Sequence, residues 1–210
     1  MLATRNEHKV KELQQILGDL VDELRLEVVG ASEFPEIPDV PETEVTFEGN
    51  ARLKAVALAA ATGLPSVADD SGLSVEVLGG SPGVFSARWS GGHGGADLAR
   101  ADRDRANLQL LLDQVEDVPD EHRAAAFVCS AVLALPDGRV AATEGRVQGH
   151  LARSARGSNG FGYDPIFLVD GDPSGRTLAE YTNDEKNAIS HRGNAFRAMV
   201  PILRELLAQK

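Results

Sequence analysis

Leu64-Pro65-Ser66-Val67-Ala68-Asp69-Asp70-Ser71-Gly72-Leu73 is the stretch on which the reading of this chain turns. The apolar run predicts a short strand over residues 66–68 that leaves the core and delivers two carboxylates at its end. Ser71 and Gly72 then turn the chain. Open α/β sheets place their chemistry at strand ends. Adjacent carboxylates repel unless a positive group, usually a metal or a lysine, shares them. Taken alone, Asp-Asp-Ser-Gly favours a solvated turn, since all three residue types form turns. The segments around it decide the matter.

Before the pair, residues 46–62 predict a helix with an acidic, cap-like start at Thr46-Phe47-Glu48-Gly49. Its interior is mostly small and apolar, which places it deep in the core. Lys54 interrupts that surface, so it either snorkels to solvent or points into a cleft. Residues 34–44, rich in proline and acid, read as an extended loop. Further upstream, Leu2-Ala3-Thr4 predicts a very short first strand, and apolar residues at helical spacing predict a helix over 9–20. A strand tip followed by a helix N-terminus offers free amides and a positive dipole end to an anion. Lys9 in the first turn opposes that dipole, so it fits better beside an anion. Residues 26–29 predict a second strand.

After the pair, residues 73–78 alternate as a strand, and a Gly-rich turn and residues 84–89 follow. His93 lies in a glycine loop with no second His or Cys at metal spacing, so it reads as solvent-exposed. The pattern then predicts a helix over 97–112, a hairpin of 124–135 and 140–151 around Pro136-Asp137-Gly138, and a short strand over 166–169. A loop with a short helix spans 174–182, and a closing helix spans 187–207. Between the hairpin and the short strand lies Gly157-Ser158-Asn159-Gly160-Phe161-Gly162-Tyr163-Asp164-Pro165, a glycine-rich loop with two aromatics.

Bulk properties exclude several classes. A chain of 210 residues fits one large domain, or a domain with a lobe, and can bury a core. A net charge of −11 argues against binding nucleic acid backbones. It leaves room for one small anion in a local positive pocket. No apolar run is long enough to span a bilayer, the start lacks a signal-peptide pattern, and the single cysteine, Cys129, reads as a buried hydrophobe. A reducing cytoplasm is expected. Basic residues are 16 Arg and 5 Lys, and three of the scarce lysines, Lys9, Lys54 and Lys186, fall in the segments that look chemical. Lysine is a compact charge suited to phosphate oxygens.

Three features converge: a strand-to-helix anion site with Lys9, a carboxylate pair with Glu42, Glu44 and Glu48 nearby, and an aromatic glycine loop with Lys186 and Ser190-His191-Arg192. Phosphates fit the first, Mg2+ the second and a planar base the third. Together they predict a nucleoside triphosphate with Mg2+. Neither a P-loop nor a dinucleotide fingerprint is present.

The chain resembles the inosine triphosphate pyrophosphatase family, the non-canonical purine nucleoside triphosphate pyrophosphatases. The matching stretches are Leu2-Ala3-Thr4-Arg5-Asn6 with Lys9, Thr46-Phe47-Glu48-Gly49-Asn50-Ala51 with Lys54-Ala55, and Val67-Ala68-Asp69-Asp70-Ser71-Gly72-Leu73. They continue with Pro82-Gly83-Val84-Phe85-Ser86-Ala87-Arg88, Gly160-Phe161-Gly162-Tyr163-Asp164-Pro165 and Glu185-Lys186-Asn187-Ala188-Ile189-Ser190-His191-Arg192. Each is weak alone; the ordered set is specific.

That resemblance implies an α/β fold: a central mixed β-sheet with flanking helices, and two lobes of one domain over residues 1–210 with the active-site cleft between them. It implies a homodimer. It implies hydrolysis of ITP, dITP or XTP to the monophosphate and pyrophosphate, with Mg2+ as cofactor. Thr4, Arg5, Asn6, Glu7, His8, Lys9 and Lys54 would bind the triphosphate, and Ser71 would contact substrate. Asp70 would be general base and metal ligand. Phe161, Gly162, Tyr163, Asp164, Lys186, His191 and Arg192 would surround base and sugar. The second metal ligand best matches Glu42, with Glu44 and Glu48 left open. Asp69 would either bind metal or hold Lys54.

The chemistry suits this set. Water attacks the α-phosphorus while charged pyrophosphate leaves, so cations lower the barrier and a carboxylate accepts the water's proton. A pocket that donates to a 6-oxo group leaves donors unpaired against adenine, which discriminates by roughly four orders of magnitude. Two positions depart from the family pattern: Arg5 stands where many relatives have Gly, and Ser158-Asn159 replace part of a glycine-rich run. Three rivals make different demands. Maf-type pyrophosphatases, which act on other nucleotides, would open with a Ser-Pro-Arg-Arg-like stretch. An aspartyl-nucleophile phosphatase needs Asp-x-Asp after a first strand. A nucleotide-sensing protein would not need the intact Asp pair and lysines.

Overall fold

In the computed structural model, described for residues 13, 16–91 and 99–208, the chain forms α-helices and one four-stranded sheet. The strands are β1 (Ser66–Val75), β2 (Ala124–Ala134), β3 (Val140–Leu151) and β4 (Phe167–Val169), hydrogen-bonded in the order β1-β2-β3-β4. The helices are α1 (Gly18–Leu24), α2 (Phe47–Thr62), α3 (Arg100–Gln114), α4 (Asn183–Ile189) and α5 (His191–Ala208). The sheet of described strands is antiparallel. In β3 and β4, Gly149 faces Val169 and Leu151 faces Phe167. Gly149 is required there, because a Cβ would sit 2.0 Å from the Leu168 carbonyl oxygen. The expected first strand over residues 2–4 lies outside the described residues, as does His93.

Two compact units arise. The first comprises Met1–Ser71, Cys129–Arg146 and Ser190–Lys210; the second comprises Gly72–Val128 and Val147–Ile189. In the first, residues on one face of β1 and β2 (Val67, Cys129, Ala131 and Leu133) pack with Leu17, Leu20, Phe196 and Met199. Ala68, Val132 and Ala134, on the other face, pack with Ala51, Ala55 and Ala59 of α2. That separation is the two-residue period of a strand. In the second unit Leu73, Val75, Leu111, Phe127, Ile166 and Phe167 form the core. Buried Arg123 there donates to the carbonyls of Leu151 and Ala152 (both 3.0 Å) and of Val115, where α3 ends.

Most expected elements are present, with four differences. The Asp pair does not lie at a strand tip: β1 runs unbroken through Asp69, Asp70, Ser71 and Gly72 to Val75. Leu73 and Val75 are both fully buried, so their packing outweighs the turn preference of Asp-Ser-Gly. The amide of Leu73 is taken by the Ser86 hydroxyl at 2.9 Å. Of the strand expected over 73–78, the last three residues form a 3-10 turn instead. Residues 26–29 form no strand: the Leu26 amide closes α1 by donating to the Val21 carbonyl, after Arg25 adopts a left-handed conformation with φ of 50°. The single closing helix is divided into α4 and α5 at Ser190, whose hydroxyl accepts from the Gly193 amide at 2.9 Å and so caps α5.

Candidate functional site

Helix α2 and strand β1 build a cluster of charged and polar side chains in the first unit. The Thr46 hydroxyl caps α2 by accepting from the Gly49 amide at 3.0 Å, and Gly63 ends it in a left-handed conformation. These caps fix Asn50 and Lys54, one helical turn apart, toward β1. Lys54 Nζ donates to the Asp69 carbonyl (2.7 Å) and to Glu42 Oε1 (2.9 Å), and lies 3.6 Å from Asp70 Oδ1. Asn50 Nδ2 donates to Asp70 Oδ2 at 3.1 Å.

Strand alternation separates the two aspartates. Asp70 turns to Lys54 and Asn50. Asp69, 4% exposed, and Ser71 turn the other way: Arg192 Nε donates to Asp69 Oδ2 at 3.1 Å and Arg192 Nη2 to Ser71 Oγ at 3.3 Å. Of the two roles expected for Asp69, holding Lys54 is seen, though through the backbone. Its carboxylate pairs with Arg192, while its carbonyl holds Lys54.

Burial works against the Lys54 ammonium, but Asp70, Glu42 and Asp69 outweigh it and hold its pKa above the ordinary value. Burial likewise raises the Asp70 carboxyl. Lys54 and the Asn50 hydrogen bond pull it down, but Glu42 and Asp69 push it up, and it stays above the usual range. One ammonium thus faces two carboxylates, Glu42 and Asp70. Two convergent carboxylates form a donor set that fits Mg2+, which takes one or two carboxylates and completes its shell with phosphate oxygens and water. Among the described residues no group of three or more His, Cys, Asp or Glu is arranged to hold a metal by itself. Of the three candidate glutamates, Glu42 brings its carboxylate to Lys54. Glu44 contributes its backbone amide to Asn50 Oδ1 at 2.9 Å, and Glu48 stands exposed in the first turn of α2.

The second unit carries the glycine loop. Gly157, Gly160 and Gly162 all have positive φ, between 60° and 80°. At Gly160 a Cβ would lie 2.1 Å from Asp164 Oδ2, so only glycine lets the loop fold over that carboxylate. Asp164 is buried; it accepts from the Phe161 amide at 2.8 Å and from Lys186 Nζ. Gly162 donates to Asp104 at 3.3 Å. Tyr163 is buried, its hydroxyl donates to the Ser86 carbonyl at 2.9 Å, and burial raises its pKa. Phe161 is the residue left outside, 56% exposed, with Lys186 Nζ 5.1 Å and the Arg100 guanidinium 5.2 Å from its ring centre. Asn159, one of the two departures from the family pattern, braces the loop. Its Nδ2 donates to the Tyr181 carbonyl and Asn183 Oδ1, and its Oδ1 caps the Gly160 amide.

The structure therefore brings Glu42, Lys54, Asp70, Ser71 and Arg192 together in one unit, and Phe161, Gly162, Tyr163, Asp164 and Lys186 in the other. His191 opens α5 beside Arg192. Thr4, Arg5, Asn6, Glu7, His8 and Lys9 lie outside the described residues. Sequence reasoning missed Asn50, Asn159 and Arg100. A polar amide at a core position of the alanine-rich α2 was the available signal for Asn50; the other two gave none. A surface recess bounded by Asp120, His150, Arg153 and Asp170 contains none of these residues, and its charges are paired as Arg153–Asp120 and His150–Asp170. No helix among the described residues is long and apolar enough to cross a membrane.

Known proteins are similar to this chain over nearly its whole length. Residues 1–202 match the model of the Ham1 family. A dITP/XTP pyrophosphatase of Streptomyces coelicolor is 58% identical over 207 residues, covering 99% of this chain and 98% of that protein. The dITP/XTP pyrophosphatase of Streptomyces avermitilis is 57% identical with the same coverage. A solved HAM1 protein of Coxiella burnetii superposes with a TM-score of 0.84 at 40% identity, covering 97% of each chain. The chain belongs to the Ham1 family.

Proposed function

We propose that this Ham1-family protein hydrolyses non-canonical purine nucleoside triphosphates, dITP, ITP and XTP, to the monophosphate and pyrophosphate. The observation that carries this reading is the convergence of Lys54, Glu42 and Asp70, which pairs a phosphate-binding cation with two carboxylates. Relatives spanning nearly the whole chain are named for this activity.

In this reading Glu42 and Asp70 hold Mg2+, which when bound offsets charge on the phosphates. Lys54, with residues 4–9, binds the triphosphate. Asp70 orients the attacking water at the α-phosphorus and accepts its proton. Ser71 contacts substrate, and Arg192 supports it by bonding both Ser71 and Asp69. Phe161 offers its exposed ring to the base, while Asp164 and Lys186 hold the loop that presents it. His191 adds a donor for base or sugar. The two units act as one domain, which works as a homodimer on free nucleotides in the cytoplasm.

A panel of nucleotides assayed for pyrophosphate with Mg2+ tests the reading. Turnover of dITP and XTP with little action on ATP is expected. Stepwise orthophosphate release, or no preference for 6-oxo purines, overturns it.

A further inference from the structure

We infer that Asn50 is a positioning residue that sets Asp70 and the loop bearing Glu42 in register, so that one divalent cation can be held by both. The inference rests on the proposed metal site and goes beyond it in naming what aligns that site.

Asn50 is 0% exposed, and both ends of its carboxamide are engaged. Nδ2 donates to Asp70 Oδ2 at 3.1 Å, and Oδ1 accepts from the Glu44 amide at 2.9 Å. These partners fix the amide's orientation, because an ionised carboxylate only accepts and a backbone N–H only donates. Asp70 Oδ2 is thus tethered to α2, leaving Oδ1 on the side of Lys54, where Glu42 also arrives. The other end of the same amide pins the chain two residues after Glu42. This loop, rich in proline and acid, is neither helix nor strand around Glu42, and the buried Asn50 side chain fixes its backbone at Glu44. Gly49 makes the contact possible: a Cβ there would lie 2.7 Å from Glu44 Cβ and 2.9 Å from its Cγ. Partners that orient metal-binding carboxylates commonly contribute tenfold or more to metal affinity.

The test is Mn2+ binding to the purified protein, followed by the loss of the free-ion paramagnetic resonance signal, beside the Mg2+ dependence of pyrophosphate release. Asn50→Ala is expected to weaken Mn2+ binding about tenfold or more, and to move the Mg2+ midpoint by a similar factor. Gly49→Ala keeps Asn50 and raises helix propensity, yet should weaken Mn2+ binding in the same direction by displacing Glu44. A lower melting temperature with Mn2+ affinity within about twofold of the parent in Asn50→Ala would mean a structural role alone, and overturns the inference. Unchanged Mn2+ binding in Gly49→Ala removes the link to the Glu42 loop and overturns it too. The proposed reaction is judged separately, on the unsubstituted protein. Metal-independent pyrophosphate release there removes the metal site and this inference with it. Normal Mg2+-dependent release with an indifferent Asn50→Ala removes the inference alone.

Discussion

The carboxylate cluster and the glycine loop are built by opposite means. Glu42 apart, the cluster stands on regular elements: Asn50 and Lys54 on a doubly capped helix, Asp70 and Ser71 within a strand. Its groups are fixed by ordinary backbone geometry, and its tension is electrostatic, from charges held out of water. The loop has little regular structure. It depends on three glycines with positive φ, folded around one buried carboxylate, and leaves an aromatic ring outside. The difference suits the two tasks proposed for them. Bond cleavage rewards charges fixed in a preorganised frame, whereas a planar base needs a face to stack on and a few directed groups.

The comparison predicts losses of different kinds. The largest is expected for Asp70→Asn: kcat falls by about 10²–10⁴ in steady-state assays. Its metal-free melting temperature should not fall. Burial raises the Asp70 carboxyl, so the folded protein binds that proton more tightly than the unfolded chain, and stability from this group declines as pH rises past the ordinary carboxylate range. An asparagine, which cannot ionise, escapes that decline. Next comes Lys54→Met, which leaves Glu42 and Asp70 facing each other; a loss of about 10²–10³ in kcat is expected. Near-normal kcat in either variant would remove the cluster from the reaction. On the loop, Phe161→Ala should act mainly on KM, by the roughly 1–3 kcal/mol of a lost base–aromatic stack, with kcat nearly kept. An equal loss in kcat would erase the division of labour between the two regions.

The smallest effect is expected downstream of the loop. Asp172 accepts from the Ser174 amide, Tyr181 and Arg176, and these bonds lower its pKa to about 2. A depressed carboxyl contributes stability that is complete above its unfolded value and lost as pH falls through the folded one. Melting curves should therefore show Asp172→Asn less stable than the parent at neutral pH, with the difference closing as pH falls from about 4 toward about 2. A gap that persists at the acid end would assign the effect to packing.

Much of the fold was legible because patterns were local. The apolar spacing of α2, its Thr46 start and the hairpin around Pro136-Asp137-Gly138 came through nearly to the residue. Two elements were misread because packing and a helix cap, rather than the preferences of the residues themselves, decided them. Asp-Ser-Gly signals a turn, but the buried neighbours Leu73 and Val75 hold it in a strand. The closing helix looked continuous until the Ser190 hydroxyl supplied a cap for a second start.

By itself the sequence determined the chemical inventory: paired carboxylates after an apolar run, scarce lysines in the right segments, and an aromatic glycine loop. Those follow from residue type and short-range spacing. Only the tertiary structure decided how the pair is divided. Because β1 continues through Asp69 and Asp70, a two-residue period sends one to Arg192 and the other to Lys54, Asn50 and Glu42's neighbourhood. Which partner each carboxylate meets depends on helices 16 and 123 positions away, and no local pattern carries that information.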